Sequence, residues 1–398
     1  MKITGLELIP ITMCFQSPFE ESFGTVGKQE NNVLVQIYTD DGICGVGEGS
    51  TLGPFYCGES QETVMGILAN HLYPKVLEGE DPFNIDPIHH KMGKIVYGNT
   101  VAKAAVDYAL HDIMGKALKI PLYKLLGGKF CDKIPIRSSV GIDTPENMGH
   151  RAEKLRKQGF TGIKMKVGLN PAEDIERVHA VRAATGSDTL IDVDVNGAYS
   201  PKDAIFVLKR IADCGNIIVE HPVNRDDLFG MALVRKAVDV PIGVCEAALS
   251  QPQIMRAMKL EAADFFNFKM SRSCGLFPAK QCVRMIEAAG LFVVASEQLG
   301  SSVELSAMNH FAVSTQSLSW PCGFAAGVLG MAGKYTTEGT TADIVDNPQL
   351  VKDGFLYAPS DRPDLGVSLV EEKWRRYLTP GKEIVRLGNV PKSLFKIF

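Results

Sequence analysis

From Thr161 to Met270 the chain repeats one pattern: a short β-branched or apolar run, a charged residue at its end, then a longer stretch with helical spacing. The successive runs are Gly162-Ile-Lys164-Met-Lys166-Val, Ile191-Asp192-Val-Asp194-Val-Asn196, Ile217-Ile-Val-Glu220-His-Pro, Val244-Cys245-Glu246 and Asp264-Phe-Phe-Asn267-Phe-Lys269. Such runs predict buried strands, and the segments between them predict helices. Asp194 and Glu220 stand 26 residues apart, as do Glu220 and Glu246, a sensible length for one βα unit. Strands alternating with helices imply a parallel sheet. Closed into a barrel, the strand C-termini converge on one face, where catalytic residues gather. Three carboxylates are then expected to meet at one point, flanked by lysines.

The flanking regions have other patterns. Residues 1–128 predict a separate α+β domain. It begins with antiparallel strands: Met1 to Pro10 alternates, Val33 to Tyr38 is β-branched, and Asp40-Asp41-Gly42 signals a hairpin into Ile43 to Gly49. Two loops, Phe15 to Asn32 and Gly49 to Ser60, carry Phe19, Phe23, Phe55 and Tyr56 among glycines, a composition that suits a lid as well as a packed surface loop. Glu62 to Leu126 is helical, and Val101 to Leu118 has small and apolar residues on more than one face, which predicts burial on most sides. Gly127-Gly128 is a natural break. The barrel is expected over 129–325. Its strands are Ile134–Gly141, Gly162–Val167, Thr189–Val195, Asn216–Glu220, Val240–Glu246, Phe265–Lys269, Leu291–Ser296 and Thr315–Trp320. The segment 326–398, with Asp353-Gly and Pro359, Pro363 and Gly366 in its later part, is expected to pack back on the first domain as extended chain.

Composition narrows the function classes. The 398 residues are 45% hydrophobic and 22% charged with a net charge of −4, and there is no basic run, so neither a nucleic-acid nor a lipid surface is indicated. No apolar stretch approaches the ~20 residues of a membrane span. The N-terminus alternates and lacks a signal peptide's apolar region. Nine cysteines without paired spacing point to a reduced, cytoplasmic chain.

Side chains alternate along a strand, so Lys164 and Lys166 share a face, as do Asp192 and Asp194. A lone Lys-x-Lys is ordinarily a surface edge strand; three carboxylates at the next three strand ends make a buried wet site the better reading. Asp194, Glu220 and Glu246 suit a hard cation such as Mg²⁺, and no His/Cys set has zinc spacing. A divalent ion chelated by a substrate carboxylate would stabilise an enediolate and ease removal of the α-proton. A lysine base must be neutral part of the time, and Lys164 beside Lys166 is expected to depress a pKa there. Lys269 would approach from the opposite side, so one lysine could remove the proton and the other return it.

These residues resemble a known family. Ala104-Ala-Val-Asp-Tyr-Ala-Leu-His-Asp112-Ile-Met-Gly-Lys-Ala with Leu125-Leu-Gly-Gly, the Lys164/Lys166 pair, Asp194-x-Asn196, Glu220-x-Pro222, Lys269, Gly300-Ser-Ser-Val-Glu304 and Pro363-Asp-Leu-Gly-Val are similar to the motifs of the muconate-lactonizing-enzyme branch of the enolase superfamily. The resemblance covers nearly the whole chain. It implies an α/β fold: an N-terminal capping domain, completed by the C-terminal segment, over a modified (β/α)7β TIM barrel. It implies Lys166 and Lys269 as the acid/base pair, Lys164 as an electrostatic aid, and Asp194 and Glu220 as Mg²⁺ ligands. Symmetric homo-oligomers are common among such barrels. One position departs: the branch normally ends the fifth strand in Asp-Glu with the Asp as third ligand, and here the pair is Cys245-Glu246. A thiol suits Mg²⁺ poorly. Glu246 is the expected replacement, the alternative being a weakened, two-carboxylate site.

A small carboxylate is the expected substrate. Dipeptide epimerases of the branch carry Asp-x-Asp on the eighth strand; Ser317 to Phe324 has no acid, which argues against that activity. Trp320 is expected to stack on a ring or quaternary ammonium, with Tyr56 and Phe55 closing the cage, so an N-substituted or cyclic, betaine-like amino acid is the expected substrate of a racemase or epimerase. Muconate-type cycloisomerisation or dehydration at the same site is the alternative. A catalytically silent binding protein, with Cys245 marking a lost metal site, is the reading from another class.

Overall fold

A computed structural model describes residues 1–318, 320–324, the strand Met331–Ala332 and residues 343–391. The expected boundary at 325–326 lies outside the described residues. The N-terminal strands are β1 (Ile3–Phe15), the short hairpin β2 (Phe19–Glu21) and β3 (Gly24–Val26), β4 (Glu30–Thr39) and β5 (Cys44–Gly49). β4 pairs antiparallel with both β1 and β5. The helices α1 (Pro54–Cys57), α2 (Gln61–Ile67, continued by a π-helical stretch Leu68–Leu77), α3 (Ile85–Ile95) and α4 (Thr100–Leu118) follow.

α4 is buried along the whole of Val101–Gly115, because it lies between the first sheet and the barrel. Its apolar residues pack on β5, where a Cβ at Gly47 would sit 2.0 Å from the Ala105 carbonyl oxygen; only glycine permits that approach. Its two buried acids tie the layers together. Asp112 accepts the amides of Val46 and Leu365, and Asp107 accepts those of Leu276 and Phe277. The latter pair opens a barrel helix, where a carboxylate meets unpaired amides and the positive end of the helix dipole.

After α5 (Leu122–Leu125) the barrel runs β6 (Lys133–Val140), α6 (Pro145–Lys157), β7 (Gly162–Lys166), α7 (Pro171–Thr185), β8 (Leu190–Asp194), α8 (Pro201–Ile211), β9 (Ile217–Glu220), α9 (Leu228–Ala237), β10 (Ile242–Val244), α10 (Gln251–Lys259), β11 (Phe265–Phe268), α11 (Leu276–Ala288), β12 (Phe292–Ala295), α12 (Ser302–Val313) and β13 (Cys322–Gly323). β6 to β12 pair in sequence, all parallel. β13 pairs parallel with β6, and bridges from Val293 to Leu318 and Ser296 to Gly323 close the ring as a (β/α)7β barrel.

Two sequence expectations shift. The eighth strand is Cys322–Gly323 rather than Thr315–Trp320, because Pro321, with no amide to donate, precedes the first ladder residue. The later tail does not run only over the first domain. Asp353-Gly354, both at positive φ, turn a hairpin of β15 (Val351–Lys352) and β16 (Phe355–Tyr357), which follows β14 (Met331–Ala332), and β16 pairs with β6 of the barrel. The end of the chain, β17 (Val385–Gly388), returns to pair antiparallel with β1.

Candidate active site

The register of β7, β8 and β9 sets the site. Lys164 stands opposite Asp192, while Lys166, Asp194 and Glu220 form one row at the strand ends. All are buried. Lys164 Nζ lies 2.6 Å from Glu220 Oε2 and 2.9 Å from Asp194 Oδ2. Lys166 Nζ donates to Asp194 Oδ2 (2.7 Å) and Asn196 Oδ1 (3.0 Å), and lies 2.5 Å from Glu21 Oε1. The turns after these strands are strained: Asn196 has φ 49° and His221 φ 46°, a left-handed backbone that non-glycine residues adopt at a cost and that collects at functional sites. Behind the row, Arg137 Nε is 2.9 Å from Asp192 Oδ2 and its Nη2 is 3.6 Å from Glu220 Oε2.

This charge pattern reverses one sequence expectation. Burial alone would lower both lysines of β7, but Asp194 and Glu220 raise Lys164 well above the ordinary lysine value, and Asp194 and Glu21 raise Lys166. The neighbouring ammonium is the lesser effect. Burial raises the carboxyls, yet Lys164 with Lys166 hold Asp194 below its usual value, and Lys164 with Arg137 hold Glu220 below its own. Of the three site lysines, Lys269 is the one whose pKa falls, chiefly through burial, which outweighs an opposing effect from Cys245 and is reinforced by the adjacent Arg272 and Lys164.

Lys269 follows β11, four strands round the barrel from β7. Its Nζ sits 4.7 Å from the centre of the Tyr56 ring, and Arg272 Cζ is 4.9 Å from the same ring. A small cavity of about 50 Å³ touches Lys164, Lys166 and Lys269 together, with Phe19 and Glu21 over it. A second, of about 230 Å³, opens between Phe23, Phe55 and Tyr56 on one side and Asn196, His221 and Glu246 on the other. The Phe23 and Phe55 rings lie 4.7 Å apart. Both aromatic loops therefore lie over the strand ends. Ser22 Oγ reaches the Val195 carbonyl (3.4 Å), and Arg225 donates to the carbonyls of Tyr56 (3.0 Å) and Phe55 (3.3 Å).

The three carboxylates do not all meet at one point. The ligand oxygens of Asp194, Glu220 and Glu246 are not all within 4.8 Å of one another. The Lys164 ammonium bridges the first two. Glu246 lies beyond the end of β10, where Asn196 Nδ2 donates to its Oε1 at 3.0 Å, while its Oε2 is buried without a hydrogen-bond partner among the described residues.

Trp320 is a second correction. Its ring packs at 5.3 Å on Phe265 and on Phe292, residues that begin β11 and β12, and beside Leu190, which begins β8. It therefore fills the floor of the barrel, at the opposite end from the lysines, because β13 starts after it and not before it. The sequence reading also missed Arg137, Arg272 and Glu21. An arginine inside the apolar run Ile134-Pro-Ile-Arg-Ser-Ser was a usable signal for Arg137. Arg272 and Glu21 gave none, since each is placed by contacts between distant segments.

The comparisons agree with this architecture. Residues 147–373 match the enolase C-terminal domain-like family model, and residues 6–127 match the mandelate racemase/muconate lactonizing enzyme N-terminal domain. The chain is 36% identical to the N-succinyl-L-Arg/Lys racemase of Bacillus cereus over 80% of its length and 86% of the relative's, and 28% identical to a chloromuconate cycloisomerase of Pseudomonas putida over 96% and 100%. Among solved structures, the B. cereus N-succinyl Arg/Lys racemase superposes with a TM-score of 0.88 at 34% identity, covering 97% of this chain and 100% of that one. The dipeptide epimerase of Cytophaga hutchinsonii, complexed with Mg and D-Ala-L-Val, gives 0.87 at 28% identity over 97% and 100%. With two lysine-bearing strands facing each other across a (β/α)7β barrel under an N-terminal cap, the chain belongs to the mandelate racemase/muconate lactonizing enzyme family, in the muconate-lactonizing branch of the enolase superfamily, and is an isomerase.

Proposed function

We propose that the protein racemises or epimerises an N-substituted amino acid by moving the α-proton between Lys269 and Lys166. The observation that carries this reading is that one cavity is lined by both lysines, which come from strands on opposite walls. A substrate α-carbon held there presents one face to each. Lys269, with its lowered pKa, suits proton removal; Lys166, held protonated by Asp194 and Glu21, suits delivery. Lys164 supplies positive charge beside the reacting carboxylate. The N-substituent points toward Phe23 and Phe55 at the mouth. The betaine-type cage loses its support, because Trp320 is on the floor and the Tyr56 ring already faces two cations.

The donor set fits a hard cation. Asp194 and Glu220 already clasp one cationic centre between them, the Lys164 ammonium, and Glu246 Oε2, 3.5 Å from His221 Nδ1, is buried with no hydrogen-bond partner among the described residues. These three would hold Mg²⁺, which when bound supplies Lewis-acid charge for a developing enediolate. The solved C. hutchinsonii relative was complexed with Mg. No described helix is long and apolar enough to cross a membrane.

The test is a screen of N-acyl amino acids in D₂O with Mg²⁺ or with EDTA, read by mass spectrometry and polarimetry. Mg²⁺-dependent α-deuteration with loss of optical rotation is the expected result. Ring closure or loss of water without racemisation would favour the cycloisomerase or dehydratase reading, and no exchange with any substrate would contradict the proposal.

A further inference from the structure

Among the described residues, one set of three His, Cys, Asp or Glu side chains brings a donor atom from each to within 4.8 Å of the others: His179, Asp213 and Cys214. His179 lies on α7, and Asp213 and Cys214 close the 3-10 turn Ala212–Cys214 that follows α8 and leads toward β9. His179 and Asp213 are exposed, and Cys214 is half-buried. Cys214 Sγ stands 3.3 Å from His179 Nδ1. These two residues are 35 apart in the chain, so no linear zinc spacing announces the set.

The placement does not depend on the three residues themselves. Arg182, one turn along α7 from His179, donates through Nη2 to the carbonyls of Gly215 (2.7 Å) and Asn216 (3.2 Å), and through Nη1 to that of Thr189 (2.8 Å). Asn216 Nδ2 adds a bond to the Asp188 carbonyl at 2.9 Å. Residues at i and i+3 share a helix face, so the arginine that pins the turn also sets it beside His179. Gly215 at φ 58° and Asn216 at φ 40° then lead the chain into β9. Donors held in place by such bonds need little ordering when a ligand arrives.

The donor types select the ligand. A thiolate with an imidazole suits Zn²⁺ rather than Mg²⁺. Tetrahedral Zn²⁺, about 2.3 Å from sulfur and about 2.0 Å from nitrogen, puts those two atoms about 3.5 Å apart, close to the 3.3 Å found here. We propose that His179, Asp213 and Cys214 bind Zn²⁺, with solvent in the fourth position. The Cys214 thiol gives its proton to solvent as the sulfur–zinc bond forms, and thiolate and carboxylate together balance the dication. The turn enters β9 at the end of the barrel opposite Glu220. The ion therefore ties α7 to the α8–β9 turn and takes no part in the proton transfer, so the inference is independent of the reaction proposed above.

In the test, EDTA-treated protein in excess Mg²⁺ is titrated with Co²⁺ and read by the thiolate-to-cobalt charge-transfer band. The first equivalent of Co²⁺ should raise the band, and Zn²⁺ should displace it. Cys214→Ser should abolish it, whereas Cys245→Ser, at the other end of the barrel, should keep it. His179→Ala and Asp213→Asn should each weaken Co²⁺ binding about tenfold or more. Zn²⁺ should also raise the melting temperature of the unaltered chain and not that of Cys214→Ser. No band in the unaltered protein, a band that survives Cys214→Ser, or undiminished affinity in both His179→Ala and Asp213→Asn would overturn the proposal and leave the Cys214–His179 contact an ordinary thiol–imidazole hydrogen bond.

Discussion

On the β7–β9 side of the site, Lys164 and Lys166 each lie within 3.0 Å of carboxylates, and their pKa values rise. On the β10–β11 side, Lys269 and Arg272 face a thiol and a phenol ring, and the Lys269 pKa falls. Lys164 and Lys166 are buried and Lys269 is half-buried, so the depth of burial does not explain why their pKa values move in opposite directions. The counter-charge does. One wall stores protons and the other accepts them.

The largest expected effect comes from breaking either wall's lysine. Lys166→Met and Lys269→Met should each lower racemisation by about 10²–10⁴-fold, the range for a positioned acid or base, measured by polarimetry on a substrate from the screen. Next is a difference in stability. Glu220→Gln takes a carboxylate from Lys164 and from Arg137, and should cost about 3–5 kcal/mol in urea unfolding without metal. Cys245→Ser on the facing wall removes no charge and should cost about 1 kcal/mol or less. Equal losses would erase the proposed asymmetry.

The contrast also predicts a pH dependence. A base acts only when neutral, so its rate climbs with pH until its pKa is passed. Lys269 lies below the ordinary lysine value and Lys166 above it. The enantiomer deprotonated by Lys269 should therefore gain its rising limb at lower pH than the enantiomer deprotonated by Lys166. Coincident limbs in the two exchange profiles would contradict the assignment.

Smaller effects separate mouth from floor. Arg225→Ala frees the Phe55 and Tyr56 carbonyls, and should raise KM about tenfold through loss of charge-assisted bonds while changing kcat less. Trp320→Ala should lower stability by about 3 kcal/mol and leave KM unchanged, because its ring packs on Phe265 and Phe292.

What could be read in the sequence follows the same division. Lys164, Lys166, Asp194 and Glu220 were legible because a strand's period of two and its C-terminal end place a residue without knowledge of distant partners. Trp320 was misjudged for a related reason: it lies just outside a strand, where period no longer fixes direction, and it enters the barrel before Pro321 instead of leaving it. Glu21 reaches Lys166 across 145 residues of sequence, and only the packing of the cap on the barrel makes that contact.

The most direct test follows α-proton exchange of each enantiomer separately in Lys166→Met and Lys269→Met, in D₂O with Mg²⁺. If the two walls work as opposed bases, each variant stops exchange of one enantiomer and spares the other, in mirror fashion. Loss of exchange for both enantiomers in one variant, with none lost in the other, would mean that a single lysine serves both faces.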